Sequence, residues 1–179
     1  MQADQPIHPK GVLIDLDGVM YVENEVTPGA VDAIQYLRDK QVPHLFLTNT
    51  TVKSKNTLFK QLQDMGIPLE IEQIVSPPGA AAAFLRKQGS PTVFLVLLED
   101  TQKDFAEFTV SEEDPDYVVI GKIKDRWDYG LMNRIFRMVM KGAQIIALHK
   151  DRYTQHADGL CIEFGAFVAG LEYSTHTTA

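Results

Sequence analysis

Two carboxylates directly follow the first apolar segment of the chain. Asp15 and Asp17 come after residues 11–14, and Gly18 follows them. The apolar run predicts a strand buried on both faces, as in a parallel sheet, and residues two apart in a strand point to the same side. The pair could equally be an ordinary polar turn. Because an unpaired buried carboxylate is costly, Mg²⁺ held together with a phosphate is the partner that would best explain the pair.

A second polar pair follows the next predicted strand, at residues 43–47. Thr48 and Asn49 are common turn formers and by themselves favour no function. The carboxyl ends of parallel strands lie at one edge of a sheet, where open α/β sheets bind ligands. We therefore expect this pair to lie near Asp15 and Asp17.

Hydrophobic periodicity and turn residues predict the helices and strands that could position these residues. In the first part of the chain, Thr27 is predicted to cap a helix that begins at Pro28. The further predicted elements there are a helix at 54–65, a strand at 74–76, and a helix at 80–88 that begins after the Pro77-Pro78-Gly79 turn.

The pattern of residues 92–174 predicts a second group of alternating strands and helices. Its elements are strands at 92–98 and 117–121 separated by an acidic stretch, a helix at 129–141, a strand at 144–149, a polar loop at 150–158, a strand at 160–162 and a helix at 166–174. The predicted division is therefore residues 1–77, residues 78–165 and a final helical segment at 166–179.

Composition excludes several classes of function. The 179 residues carry a net charge of −7 with no basic face, which argues against nucleic-acid binding. The longest apolar run, at 93–98, is too short to span a membrane. The first ten residues do not resemble a signal peptide, and the single cysteine, Cys161, allows no internal disulfide. These features predict a cytoplasmic protein.

The ordered motifs resemble the haloacid dehalogenase (HAD) superfamily, in its NagD-like branch. The resemblance is carried by residues 15–21 (Asp-Leu-Asp-Gly-Val-Met-Tyr), by residues 48–54 (Thr-Asn-Thr-Thr-Val-Lys-Ser) and by the late stretch from His149 to Tyr173. Within that branch the sequence is most similar to the phospholysine phosphohistidine inorganic pyrophosphate phosphatase group. The fold implied is half of an open parallel Rossmann-like core with an inserted α/β cap domain.

The resemblance also implies a mechanism, Mg²⁺-dependent hydrolysis of a small phosphorylated substrate. Asp15 would be the nucleophile and Asp17 the general acid and base. Thr48, Asn49 and the backbone N–H groups near Leu16 and Asp17 would bind the phosphoryl oxygens. The Asp15 carboxylate and the Asp17 carbonyl would hold Mg²⁺.

The cap is expected to bind the leaving group of the substrate and so to select the substrate. The residues expected to do so are His149, Lys150 and Arg152, although this stretch could also be a solvated surface loop. The resemblance further suggests a homodimer formed through the cap.

The sequence departs from the family pattern after the cap. The pattern requires a later lysine and a later acidic motif. The candidate lysines Lys122, Lys124, Lys141 and Lys150 all lie within the cap pattern, and the sequence given contains no later Gly-Asp-Asp. Without further core strands, the first strand should lack one neighbour and leave apolar side chains exposed. An inactive fragment or a non-catalytic interaction module is therefore the alternative to a phosphatase.

Overall fold

The computed structural model describes residues 10–179, which divide into two compact units. The first unit comprises residues 10–48 and 56–75, and the second comprises residues 49–55 and 76–179. Each unit contains a three-stranded parallel sheet with its own apolar core. The predicted α/β class with parallel sheets is confirmed.

The first unit is built on a sheet in which a central strand pairs with two neighbours. Its elements are β1 (Val12–Asp15), β2 (Tyr21–Val22), β3 (Glu25–Val26), α1 (Ala30–Asp39), β4 (His44–Leu47), α2 (Lys55–Asp64, whose first residue belongs to the second unit) and β5 (Ile74–Val75). The strand order is β1-β4-β5, and β2 pairs with β3 in a short antiparallel hairpin. Asp15 lies opposite Leu47, and Leu47 lies opposite Val75, so all three strands end at one edge.

The side chains on the two faces of this sheet differ in how deeply they are buried. Phe46 and Ile74 on one face are buried with residues of α1 and α2. On the other face the exposed fractions are 66% for Leu13, 38% for Leu45 and 38% for Val75. The prediction of a first strand buried on both faces is therefore wrong for the described chain. The prediction that β1 lacks a neighbour and leaves apolar side chains exposed is confirmed, because β1 lies at the edge of the described sheet.

Two helices begin at different residues from those predicted. Helix α1 begins at Ala30 after Gly29, whose φ of 84° suits glycine, so the predicted Thr27 cap is wrong. The Thr27 carbonyl instead accepts the Ala30 N–H at 3.0 Å. A helix predicted to begin at Ala80 begins at Pro77, because the Ser76 hydroxyl accepts the Gly79 N–H and proline fits the first helical turn.

The second unit contains the remaining strands and α-helices. Its further elements are α3 (Pro77–Lys87), β6 (Val93–Val96), α4 (Glu99–Gln102), β7 (Tyr117–Ile120), α5 (Tyr129–Met140), β8 (Gln144–Ala147), β9 (Tyr153–His156), β10 (Gly159–Ile162) and α6 (Gly165–Thr175). The strand order is β6-β7-β8, all parallel. Helices α5 and α6 pack together and bury Ile135, Val168 and Leu171 in the core.

Two elements of this unit were not predicted from the sequence. The acidic stretch after β6 contains the short helix α4. The predicted polar loop at 150–158 contains β9, which pairs with β10 in an antiparallel hairpin. Both elements are short and mostly polar, so hydrophobic periodicity could not reveal them. Among residues 10–179, no helix is both long and apolar enough to cross a membrane.

Candidate active site

The end of β1 fixes the backbone around Asp15. The Leu16 N–H donates to the Leu47 carbonyl at 3.1 Å and to Asp15 Oδ1 at 2.8 Å. This N–H thus continues the sheet and at the same time restrains one carboxylate oxygen of Asp15. Because the N–H is already engaged twice, a phosphate oxygen at Leu16 would have to compete with both acceptors.

A tight turn follows, and it returns the chain toward Asp17. The Leu16 carbonyl accepts the Met20 N–H at 2.9 Å, and the Gly18 N–H donates to the Tyr21 carbonyl at 2.8 Å. Gly18 has a φ of 79°, which glycine adopts without strain. Asp17 and Tyr21 consequently face each other in a backbone bridge at the start of the β2–β3 hairpin.

Tyr21, at the start of β2, has a buried side chain. Its ring belongs to the core of the first unit, with an exposed fraction of 3%. Burial raises the pKa of Tyr21 to about 12, and the negative charges of Asp17 and Asp15 act in the same direction. The hydroxyl group is therefore protonated at neutral pH. Tyr21 belongs to the motif at residues 15–21 but was assigned no role from the sequence.

Thr48 lies at the same edge of the sheet. It directly follows Leu47, which is opposite Asp15, and its N–H donates to the Val75 carbonyl at 3.1 Å. Thr48 is buried, whereas Asp15 and Asp17 are exposed. The structure thus places three of the predicted residues at the carboxyl edge of one sheet, with both carboxylates accessible.

The carboxylates of Asp15 and Asp17 suit a Mg²⁺ ion that also binds water and a substrate phosphate. They suit less well a metal site in which protein side chains supply all the ligands. No cluster of three or more His, Cys, Asp or Glu side chains able to hold a metal occurs in the part of the chain that the structure describes. Mg²⁺ is commonly held by one or two carboxylates with water and substrate phosphate. The donor set at Asp15 and Asp17 has that composition.

The second unit contains a polar cavity of about 230 Å³. Two of the predicted site residues, Asn49 and His149, line it. The other lining residues are Thr50, Thr51, Val52, Lys122, Asp151, Tyr153, Thr154 and Glu163.

An ion pair and a histidine dominate the chemistry of this cavity. Lys122 Nζ donates to Glu163 Oε1 at 2.6 Å, and Glu163 is 7% exposed. The His149 ring packs on Phe164 with ring centroids 3.9 Å apart. Burial lowers the pKa of His149, against the opposing effect of the Asp151 and Glu163 carboxylates. The cavity therefore presents a neutral imidazole and a lysine whose charge is compensated.

The other two predicted cap residues lie elsewhere. Lys150 pairs with Glu172 of α6 at 2.7 Å, and the Arg152 side chain is exposed. Neither belongs to the lining of the cavity. Lys122 was missed as a site residue, although it follows Gly121 at the end of β7. The strand-end position that identified Asp15 could have identified Lys122 too.

The match to a family model decides the family of the chain. The model of haloacid dehalogenase-like hydrolases matches residues 12–110, which include the end of β1 and Thr48. The chain belongs to this family. Curated relatives extend the match over nearly the whole chain. The mouse haloacid dehalogenase-like hydrolase domain-containing protein 2 is 38% identical over 95% of this HAD-family chain and 64% of its own length.

Two relatives with phosphatase names match over a similar span. The sugar-phosphatase AraL of Bacillus subtilis is 33% identical over 96% of the chain and 64% of its own length. The human phospholysine phosphohistidine inorganic pyrophosphate phosphatase is 29% identical over 92% and 62%. The chain thus spans a little less than two thirds of these relatives.

Solved structures share the fold. NagD from Escherichia coli K-12 superposes with a TM-score of 0.79 and 26% identity, over 96% of this chain and 68% of that one. The 4-nitrophenylphosphatase from Thermotoga maritima gives a TM-score of 0.81 and 25% identity, over 93% and 64%. The predicted HAD family and NagD-like relationship are confirmed.

Proposed function

We propose that the chain provides the nucleophile and the general acid of a Mg²⁺-dependent phosphatase that acts through an aspartyl-phosphate. The observation that carries the proposal is the sheet edge where Asp15, Asp17 and Thr48 lie together and where the Leu16 N–H restrains Asp15 Oδ1. Membership of the HAD-like hydrolases and the phosphatase names of several relatives support it.

The first chemical step would form an Asp15 oxygen–phosphorus bond. Because the Leu16 N–H holds Oδ1, the other carboxylate oxygen is the one available for attack. The bond from phosphorus to the leaving oxygen breaks as Asp17 gives that oxygen a proton. The Thr48 hydroxyl group would bind a phosphoryl oxygen, and the Asn49 amide stays a predicted second donor.

The second step would return the enzyme to its starting state. Asp17, now deprotonated, takes a proton from water, and the water oxygen attacks phosphorus. The Asp15 oxygen–phosphorus bond breaks, which releases inorganic phosphate. Mg²⁺, held by the Asp15 carboxylate and the Asp17 carbonyl, would offset the negative charge that gathers in both steps.

For the substrate we propose a small phosphorylated molecule. Two relatives are named for sugar phosphate and for phospholysine, phosphohistidine and pyrophosphate, so phosphate esters, phosphoramidates and pyrophosphate are the classes to test. In the second unit, His149 is the predicted specificity residue that lines a cavity, together with Lys122. We propose that these two residues contribute to substrate selection, and that Lys150 and Arg152 contribute less.

The direct test is phosphate release with Mg²⁺ from 4-nitrophenyl phosphate and from pyrophosphate. The 179-residue chain, and any longer natural form that contains it, should lose turnover on Asp15→Asn, which keeps the size of the side chain but removes the nucleophile. Asp32→Asn, at the exposed first turn of α1, is the matched control and should keep activity. Full activity in Asp15→Asn would contradict the proposal.

A non-catalytic interaction module is the second candidate. The exposed apolar face formed by Leu13, Leu45 and Val75 favours it, since such faces often mark interaction surfaces. Absence of phosphate release from every substrate class would favour this candidate over the phosphatase.

A further inference from the structure

Residues 49–55 belong to the second unit, and all of them except Lys55 lie outside helices and strands. The first four line the polar cavity of about 230 Å³, and Asn49 among them is the predicted second donor to a phosphoryl oxygen. A segment without regular structure must satisfy its backbone polar groups through side chains or water. The side chains that bind this segment therefore decide how firmly Asn49 is held in the cavity.

The hydroxyl group of Thr101, in α4, holds the segment close to Asn49. It donates to the Thr51 carbonyl at 2.9 Å. Thr101 is 0% exposed and Thr51 is 3% exposed, so water has little access to replace this hydrogen bond. Since Thr51 comes two residues after Asn49, the bond fixes the backbone next to the predicted donor.

Two carboxylates hold the later residues of the segment. The Ser54 N–H donates to Asp100 Oδ2 at 2.8 Å, and the Lys55 N–H donates to both carboxylate oxygens of Asp104 at 3.0 Å. Hydrogen bonds from a backbone N–H to a carboxylate are stronger than those between neutral groups. The segment is thus fastened at three of its residues by α4 and by Asp104, which lies two positions beyond that helix.

We propose that Thr101 is a positioning residue, whose hydroxyl group holds residues 49–52 so that the Asn49 amide can donate to the phosphoryl group of the substrate. The inference rests on the proposed phosphatase function and on the predicted role of Asn49, and it adds a buried residue to that site. A donor that is fixed before the reaction needs no reorganisation as negative charge develops, whereas a mobile donor stabilises that charge less.

The kinetic test uses phosphate release from 4-nitrophenyl phosphate with Mg²⁺. Thr101→Val keeps the shape of the side chain without the hydroxyl group, and we expect it to lower kcat/KM by about tenfold or more, because small misplacements of a donor are costly. Thr101→Ser keeps the hydroxyl group and should retain most of the activity. Asn49→Ala should itself be slower, and adding Thr101→Val to it should cause little further loss, since the donor that Thr101 positions is gone.

Thr175→Val is the matched control. The Thr175 hydroxyl group is also buried and donates to the Leu171 carbonyl at 2.8 Å, but this bond lies within α6. Its removal should leave kcat/KM nearly unchanged. Hydrogen exchange followed by mass spectrometry gives a second measurement that needs no turnover: residues 49–55 should exchange faster in Thr101→Val and not in Thr175→Val.

The outcomes separate the role of Thr101 from the proposed function. Unchanged exchange at residues 49–55 in Thr101→Val, or an equal loss of kcat/KM with and without Asn49, overturns the role of Thr101 and leaves the phosphatase standing. A wild type that releases no phosphate overturns the proposed function and the role of Thr101 with it. Should Thr101→Val fail to fold, Asp104→Ala, at a partly exposed residue, releases Lys55 and takes its place in both measurements.

Discussion

The Lys122–Glu163 pair is the most buried ion pair among the described residues. The side chains are 31% and 8% exposed, whereas Lys141 and Asp114, in another pair of the same unit, are 61% and 69% exposed. A buried carboxylate that loses its partner keeps its desolvation cost, while an exposed one is solvated by water. The two pairs should therefore respond differently to removal of the lysine.

We predict that Lys122→Met lowers the free energy of unfolding by about 1–3 kcal/mol, because Glu163 stays buried without its partner. Lys141→Met, the matched control, should change it by less than about 1 kcal/mol. Urea denaturation of both variants measures the difference. Adding Glu163→Gln to Lys122→Met should restore part of the loss, and equal effects of the two lysine variants would contradict the buried-pair interpretation.

Some residues of the proposed site could be predicted from the sequence, and others depend on tertiary contacts. Asp15 and Asp17 were predicted because an apolar strand followed by polar residues two apart is a local pattern. The Lys122–Glu163 pair joins residues 41 positions apart, so no local pattern reveals it. Lys150 was predicted from its charge, but its partner Glu172 comes from α6, whose packing the sequence did not define.

The first residue of α6, Gly165, lies very close to the backbone of Lys150 and Asp151, which follow β8. A Cβ atom at Gly165 would lie 2.6 Å from the Lys150 carbonyl oxygen, closer than real Cβ contacts allow. The glycine thus permits the backbone next to His149 to pack against the start of the helix. The position of His149 in the cavity depends on this close approach.

We predict that Gly165→Ala displaces residues 150–151 and lowers the free energy of unfolding by about 1–3 kcal/mol, the usual cost of overpacking. Gly170→Ala in the same helix is the control, because its Cβ atom would meet Met132 at an ordinary 3.6 Å. That variant should be neutral or slightly stabilising, since alanine favours a helix. Thermal melting and a crystal structure of Gly165→Ala test both points, and an unshifted backbone at 150–151 would contradict this account.

Elements with a clear apolar pattern could be predicted, and the mostly polar ones could not. Helix α5 (Tyr129–Met140) has a full apolar stripe, and its boundaries agree with the prediction to within one residue. Strand β9 is exposed along most of its length, so its residues carry no alternating pattern. The start of α3 was misplaced because Pro77 and Pro78 indicated a break, although proline is also favoured in the first turn of a helix.

One face of the first sheet exposes apolar side chains to solvent. Leu13 and Leu45 lie opposite each other in register and are both exposed. Adjacent exposed apolar residues form a patch, whereas Met140 of the second unit, at 62% exposure, is exposed at the end of a helix.

We predict that the 179-residue chain binds a hydrophobic fluorescent dye through this face. Leu13→Gln combined with Leu45→Gln should reduce the dye fluorescence, while the free energy of unfolding changes by less than about 1 kcal/mol, because neither side chain is buried in the core. Met140→Gln is the control and should leave the fluorescence nearly unchanged. Undiminished fluorescence in the double variant would show that the dye binds elsewhere.

The proposed mechanism requires that Asp15 becomes covalently phosphorylated during turnover. The intact mass of the protein, after rapid acid quenching during turnover of 4-nitrophenyl phosphate with Mg²⁺, measures this step. We predict one added phosphoryl group in the wild type, located on Asp15 by peptide mapping, and none in Asp15→Asn. An Asp15→Asn variant that still turns over substrate, or a phosphoryl adduct located on a different residue, would contradict the proposed role of Asp15.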